Sequence, residues 1–405
     1  MEKLKLTADV LFAGIGCQER GFWNTDAVDL EVLAISEIDK DAVMSYSSIH
    51  KQLTPEMVEE YDGYPTEGGM VLELTGKNIG YDAKKEKPYD WNRFDKNRDY
   101  IIKSNWLAGH LANNLGDISR IDSLPEADIW ICSFPCQDIS IAGYQNGFRE
   151  GTGTRSSLLW EQIRLLQKAV KDGTQPKFML YENVAELAGK KFKKDFLGLL
   201  DILKGAGYKT HWKILNAKDF GIPQNRERLF LLCIREDIET GSFSFPQPYH
   251  GGVRLEDILS LNGRRKMYLN VDRAKAAAER LGEDGSSSIP DCKRDGEENE
   301  AVDIENIKLH GKDTYAIQKL TPEMCFLLMG MTTEDVKKCR DMGVSDTQLY
   351  RQAGNGIVTN VIQLLAEHLY KAVADKAYVC TDEKMNGKES GNFHVPAIQA
   401  AEKSA

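Results

Sequence analysis

No run in the sequence approaches the roughly 18 apolar residues that span a bilayer. At the N-terminus, Asp9 interrupts the apolar stretch that a secretory leader would keep unbroken, so a cytoplasmic protein away from membranes is expected. The 8 cysteines (17, 132, 136, 233, 292, 325, 339 and 380) include no CxxC pair and no closely spaced Cys/His set. That pattern argues against a zinc site, another bound metal or a disulfide framework. Positive charge is also in deficit. The 52 Lys and Arg residues face 62 Asp and Glu, a formal charge of −10, which weakens any global basic attraction to nucleic acid. There is no internal repeat. A 41% hydrophobic and 28% charged composition excludes collagen-like, wholly disordered and membrane classes. At roughly 150 residues per domain, 405 residues predict two or three folding units.

What the chain does contain is a rhythm. Short aliphatic runs at 8–12, 31–36, 128–133, 178–181, 211–215 and 229–234 alternate with amphipathic stretches. This predicts an α/β fold with a mostly parallel sheet and helices on both faces, binding ligands beyond the carboxyl ends of its strands. Pleated runs are expected to stop after about residue 235. Two segments break the rhythm. Residues 50–112 lack clear periodicity and read as an insertion. Residues 236–318 are irregular, with a basic cluster (Arg264, Arg265, Lys266, Arg273, Lys275, Arg280) followed by an acidic stretch, 283–305, expected as a solvated loop. Thr321 then caps a predicted helix with Pro322 at its first position, and a second helix follows Asn355. Residues 376–405 read as a flexible tail.

Several residue clusters fall at predicted strand margins. Gly14 and Gly16 in FAGIGC let the backbone approach a ligand, and Glu37, about 20 residues on, is placed to accept ribose hydroxyls. The third glycine of the dinucleotide fingerprint is missing, and a plain tight turn is the alternative. Gly116-Asp117-Ile118 offers another carboxylate at a possible strand end, suited to an adenine amino group or serving a simple turn. In SFPCQ, Cys136 sits at a strand end ahead of a glycine-rich stretch, as an exposed nucleophile under a lid or as a structural thiol. Cys132 reads as packing. Glu182 in YENV, and Arg226 with Arg228 in QNRER, suit either catalysis or a helix cap and surface ion pairs. Their common position at strand margins favours a shared site.

In this order, FAGIG, PCQ, ENV, QNRER and QAGN (352–355) resemble the cytosine-5 DNA methyltransferases of bacterial and phage restriction-modification systems, which depend on S-adenosylmethionine. The match covers roughly 5–50, 113–235 and 315–375. The resemblance implies a Rossmann-like class I methyltransferase sheet plus a smaller irregular target-recognition domain. It implies a catalytic domain of 1–235, carrying the insertion and completed by 319–375, and a recognition domain of 236–318.

It also implies roles. Cys136 corresponds to the nucleophile adding to C6 of a flipped-out cytosine, Glu182 to the residue serving N3, Arg228 to the O2 contact, and Arg226 to its support. Phe12, Gly14, Gly16, Glu37, Ile38, Asp117, Ile118, Pro135, Leu158, Asn355 and Gly356 correspond to the cofactor pocket. Gln137, Gln145 and Arg155 in the lid, and the basic residues Arg264, Arg265 and Lys266, are expected to face double-stranded DNA. Two positions depart from the family: Gly356 where a serine or alanine is frequent, and Ala142 where some relatives contact DNA through serine. A monomer, with a cognate restriction endonuclease acting separately, is the implied organisation. The similar tRNA methyltransferase subgroup carries CFT-type residues that are absent near Cys136. Intact Cys136, Glu182, Arg226 and Arg228 argue against a catalytically inactive paralogue.

Overall fold

The computed structural model describes residues 3–81, 87–140, 143–249 and 320–374, residues 255 and 258, and the strand backbone at 266–268, 302–309 and 312–319. All six predicted runs are strands: β1 (Leu4–Leu11), β2 (Val28–Ser36), β3 (Ile129–Cys132), β4 (Phe178–Val184), β5 (Tyr208–Asn216) and β6 (Glu227–Arg235). They form one sheet in the order β2-β1-β3-β4-β6-β5. β1 pairs in parallel with β2 and β3, and β3 with β4, whereas β6 runs antiparallel to β4 and β5.

The continuously buried central strands β3 and β4 are what a sheet covered on both faces requires. Alternate residues enter different cores. Ile129, Ile131, Phe178 and Leu180 join one apolar cluster, and Trp130, Cys132, Met179 and Tyr181 join the other. The buried positions of α2 (Lys40–His50) lie in the first, as do those of the C-terminal helices. α6 (Leu159–Asp172) and α7 (Lys193–Gly205) fill the second.

Local signals set the helix ends. Asp39 caps α2 by accepting from the amides of Asp41 and Ala42. Gly173, left-handed at φ 74°, ends α6. As predicted, Thr321 accepts from Met324 N with Pro322 opening α8 (Pro322–Leu327). α9 (Thr333–Asp341), α10 (Asp346–Asn355) and α11 (Thr359–Ala374) follow. These helices close onto the start of the chain. α1 (Cys17–Trp23) meets α11 at Gly21, where a Cβ would overlap Ile362. Arg20 pairs with Asp335 at 2.7 Å, and Gln352 bridges α2 by accepting from Ser45 Oγ (2.9 Å) and donating to Asp41 O (3.0 Å).

Two expectations are corrected. Residues 50–112 are helical, as α3 (Pro55–Glu60), α4 (Glu67–Gly76) and α5 (Arg98–Leu111), and they contribute Val58, Met70, Leu74, Ile102 and Trp106 to the first core. Two of these helices are short and α4 contains glycines, so few apolar turns betray the period. Pleated structure also continues past residue 235. β7 (Lys266–Tyr268), β9 (Lys312–Lys319) and β8 (Val302–Leu309) form an antiparallel sheet in the order β7-β9-β8. Apolar residues of β8 fall on both parities (Val302 and Ile304, then Ile307 and Leu309), so no alternation marks it, and the last residues of the supposed acidic loop belong to it. The rest of the basic cluster, the remaining acidic stretch and the 376–405 tail lie outside the described residues.

Candidate active site

The carboxyl ends of β1 and β2 make the first half of the site. After Leu11 the backbone turns left-handed at Phe12 (φ 60°), Gly14 (57°) and Gly16 (78°). The two glycines do different things. Nothing lies within 4 Å of where a Cβ on Gly14 would sit, so its face is open. At Gly16 a Cβ would overlap the His50 ring, whose Nε2 meets Ile15 O at 2.9 Å. Gly16 therefore also needs its missing side chain for packing against His50.

Glu37, just past β2, has its carboxylate fixed by three amides: Gly14 N at 2.9 Å, and Ile38 N and Asp39 N at 2.8 Å each. Burial raises its pKa, Asp39 adds to the rise, and the amides oppose it. Asn114, which carried no signal in the sequence, clamps the Glu37 peptide from both sides, accepting from its N–H (3.1 Å) and donating to its carbonyl (2.9 Å).

Asp117 is not at a strand end. It caps a single 3-10 turn, Ile118–Arg120, on a segment whose backbone pairing with β2 is an isolated bridge between Ile35 and Asn114. Its carboxylate accepts from Ser119 N (3.0 Å), Ser119 Oγ (2.8 Å) and Asn78 Nδ2 (2.7 Å). Ser36 Oγ donates to Gly116 O at 2.7 Å and holds this loop beside the β1 and β2 ends.

The second half follows β3 and β4. Of the six cysteines among the described residues, Cys136 alone is not buried, and Cys132 is indeed core. The Cys136 carbonyl accepts from Ile139 N and Ser140 N, both at 2.9 Å, which turns the loop sharply. Asn183, next to Glu182 on β4, donates to Phe134 O at 3.0 Å and ties that loop to the neighbouring strand. Its place inside ENV was the only available hint. Glu182 lies 3.0 Å from Arg228 Nε, and both side chains are almost fully buried. Burial raises the Glu182 pKa, against the opposing charges of Arg228 and Arg226. Arg226 also donates to Gly354 O (3.0 Å) and Gly356 O (2.7 Å), fixing the turn after Asn355.

Between these halves, Arg155 donates to Gln137 Oε1 at 2.5 Å. Pro135 O accepts from Ser156 Oγ at 2.6 Å, and Leu158 ends the same short 3-10 turn. Asp138 organises the loop after Cys136, accepting from Ser156 N and Asn146 Nδ2. Gln145 is left-handed (φ 52°) and is held through its carbonyl by Lys191. Ala142, Arg264 and Arg265 lie outside the described residues, as does the Lys266 side chain.

A family model described as C-5 cytosine-specific DNA methylase matches residues 73–371. The chain belongs to this family. Within the family it is 36% identical over 369 residues to the Type II methyltransferase M2.ScrFI of Lactococcus lactis subsp. cremoris, covering 89% of this chain and 98% of that protein. It is 27% identical over 389 residues to the orphan methyltransferase M.SssI of Spiroplasma monobiae, covering 90% and 97%. The fold is that of the S. pombe Dnmt2 methyltransferase (TM-score 0.53, 16% identity, 91% of this chain and 98% of that one). It is also that of the Entamoeba histolytica methyltransferase EhMeth (TM-score 0.52, 13% identity, 92% and 99%). The family is a Rossmann-like class I methyltransferase family, and this member is a DNA cytosine-5 methyltransferase. Among the described residues no helix is long and apolar enough to cross a membrane, and no group of three or more His, Cys, Asp or Glu could hold a metal ion.

Proposed function

We propose that the enzyme methylates C5 of a flipped-out cytosine within a specific double-stranded DNA sequence through a covalent bond between Cys136 and C6. The observation that carries this reading is the half-buried Cys136, the one described cysteine outside the core, on a loop that Asn183 tethers to β4, where the adjacent Glu182 pairs with Arg228 in a buried site.

Carbon 5 of cytosine is a weak nucleophile. The Cys136 thiolate adds to C6, and the electron pair displaced from the ring flows toward N3 and O2. A Glu182 whose pKa burial has raised is suited to give its proton to N3. Arg228 stabilises charge at O2. C5 is then enamine-like and nucleophilic. Loss of the C5 proton and departure of the Cys136 sulfur afterwards restore the aromatic ring. S-adenosylmethionine, when bound, supplies the electrophilic methyl group. The chain's own residues fit it: the open face at Gly14, the amide-fixed carboxylate of Glu37 for ribose hydroxyls, Asp117 for the adenine amino group, and Phe12, Ile38, Ile118, Pro135, Leu158, Asn355 and Gly356 around them.

Gln137, Gln145 and Arg155 belong to a lid over the extruded base, which leaves the duplex at a cost of a few kcal/mol. Residues 236–318 serve as the target-recognition domain, with Arg264, Arg265 and Lys266 on phosphates, and 319–375 complete the catalytic domain. The enzyme acts as a cytoplasmic monomer, and its Type II relatives support a separately acting cognate endonuclease.

The test is trapping. DNA carrying 5-fluorocytosine at the target, once methylation mapping has located it, forms a denaturation-resistant complex with the wild-type enzyme and none with Cys136→Ala, since fluorine cannot leave as a proton does. Trapping by the alanine variant, or methylation of tRNA in place of DNA, overturns the reading.

A further inference from the structure

The helical insertion does more than decorate the fold, because its turn at 77–80 touches both loops at the nucleoside end of the site. Gly80 N donates to Ile38 O at 2.7 Å, on the side next to Glu37. On the other side, Asp117 N donates to Lys77 O at 3.0 Å, and Asn78 Nδ2 donates to Asp117 Oδ2 at 2.7 Å. Arg120 locks the junction by donating to Thr75 O (3.1 Å) and Gly76 O (2.9 Å), the last carbonyls of α4. The approach is so close that Gly116 (φ 79°) has no room for a side chain, since a Cβ would overlap Lys77 O.

Asn78 is shaped for this place. It is buried, 8% exposed, and holds a left-handed backbone (φ 57°), which asparagine tolerates better than other residues with side chains. A carboxylate has about four lone-pair sites. On Asp117, Ser119 takes two at Oδ1 and Asn78 takes one at Oδ2, so the remaining acceptor capacity is on Oδ2 beside the Asn78 amide. Without that amide the carboxylate is held through Oδ1 by Ser119, and Oδ2 loses the donor that fixes its direction.

We infer that Asn78 is a positioning residue for the cofactor: it fixes the Asp117 carboxylate so that one Oδ2 lone pair selects the adenine amino group. This rests on the reading of Asp117 as the adenine contact. The insertion thereby becomes part of the cofactor site.

Calorimetric titration of the full-length enzyme with S-adenosylhomocysteine and with S-inosylhomocysteine, which carries a carbonyl in place of the amino group, tests it. The wild type should prefer the adenine form. Asn78→Gly, which keeps the left-handed backbone and loses the amide, should bind S-adenosylhomocysteine about tenfold more weakly while changing affinity for the inosine form little, as expected for a charge-assisted hydrogen bond that no longer orients its partner. Asp117→Ala should erase the preference. If Asp117→Ala erases it and Asn78→Gly does not, or if Asn78→Gly weakens both ligands equally, Asn78 has no positioning role and the Asp117 reading stands. A preference that survives Asp117→Ala removes the reading itself. Thermal melts accompany each variant. Should Asn78→Gly not fold, Asn78→Asp, which sets a like charge against Asp117, takes its place with the same expected narrowing.

Discussion

Arg228 Nε lies 3.0 Å from Glu182 Oε1 in a buried site between β4 and β6. Burial raises the carboxyl's pKa, and the guanidinium opposes that rise. In the proposed mechanism the protonated acid is the active form, so kcat falls as pH rises through this raised pKa. Arg228→Met removes the opposing charge and shifts that fall to higher pH. It also lowers the maximal rate about 100-fold, as loss of one donor at a developing charge does. A pH–rate profile of the variant with an unmoved alkaline limb would contradict the coupling.

Asn183→Ala should slow methyl transfer roughly tenfold and leave affinity for S-adenosylhomocysteine unchanged. The variant deprives the buried Phe134 carbonyl of its donor, at a cost of about 1–3 kcal/mol, and loosens the loop that carries Cys136. Single-turnover kinetics beside a cofactor titration separate the two effects. An equal rate with weakened cofactor binding would sink the assignment.

Gly14 and Gly16 should respond differently to alanine. Both have positive φ, so each substitution strains the backbone by about 1–2 kcal/mol. Gly16→Ala adds an overlap with His50, and thermal melting should show the larger loss there. Gly14→Ala puts its methyl into open space before the loop and should mainly weaken cofactor binding. Equal melting temperatures for the two would remove the distinction.

Stability should also fall with rising pH because of Asp9. This residue is fully buried on β1, and burial raises its pKa from 3.8 to about 7. The Trp130 indole beside it opposes the rise, but no partner of normal hydrogen-bond geometry meets either carboxylate oxygen. A folded-state pKa above the unfolded one gives stability that is complete below about pH 4 and lost as pH climbs through about 7. Asp9→Asn should flatten that slope and exceed the wild type in urea resistance at pH 8 by a few kcal/mol. An unchanged slope would assign the dependence to other groups.

The sheet was legible in the sequence because strands covered on both faces read as short, mainly aliphatic runs, and all six coincide with β1 to β6. Glu182 and Arg228 were legible through motifs, and the structure sets them side by side. What escaped notice were long-range polar contacts without a local pattern. Asn114 clamps Glu37 from 77 positions away, and Asn78 reaches Asp117 across 39. The packing role of Gly16 was equally hidden, since a positive-φ glycine at a strand end does not announce the histidine ring that lies against it. In β8, charges and split parity concealed a strand that its partner β9 stabilises through backbone pairing, which composition does not record.

The anchoring of the chain on either side of the segment proposed for target recognition has a consequence for how that segment can vary. Before the segment, Phe243 and Phe245 are buried and the His368 ring meets Ser244 O at 2.8 Å. After it, Leu320 is buried and its carbonyl accepts from Tyr350 Oη at 2.7 Å. Both ends are therefore held by the main body whatever lies between them. Thermodynamically the segment is a closed loop, and doubling its length costs only about 0.6 kcal/mol in closure entropy. Exchanging or lengthening the segment therefore costs the main body little stability, and in the proposed domain assignment such an exchange is a route to new specificity.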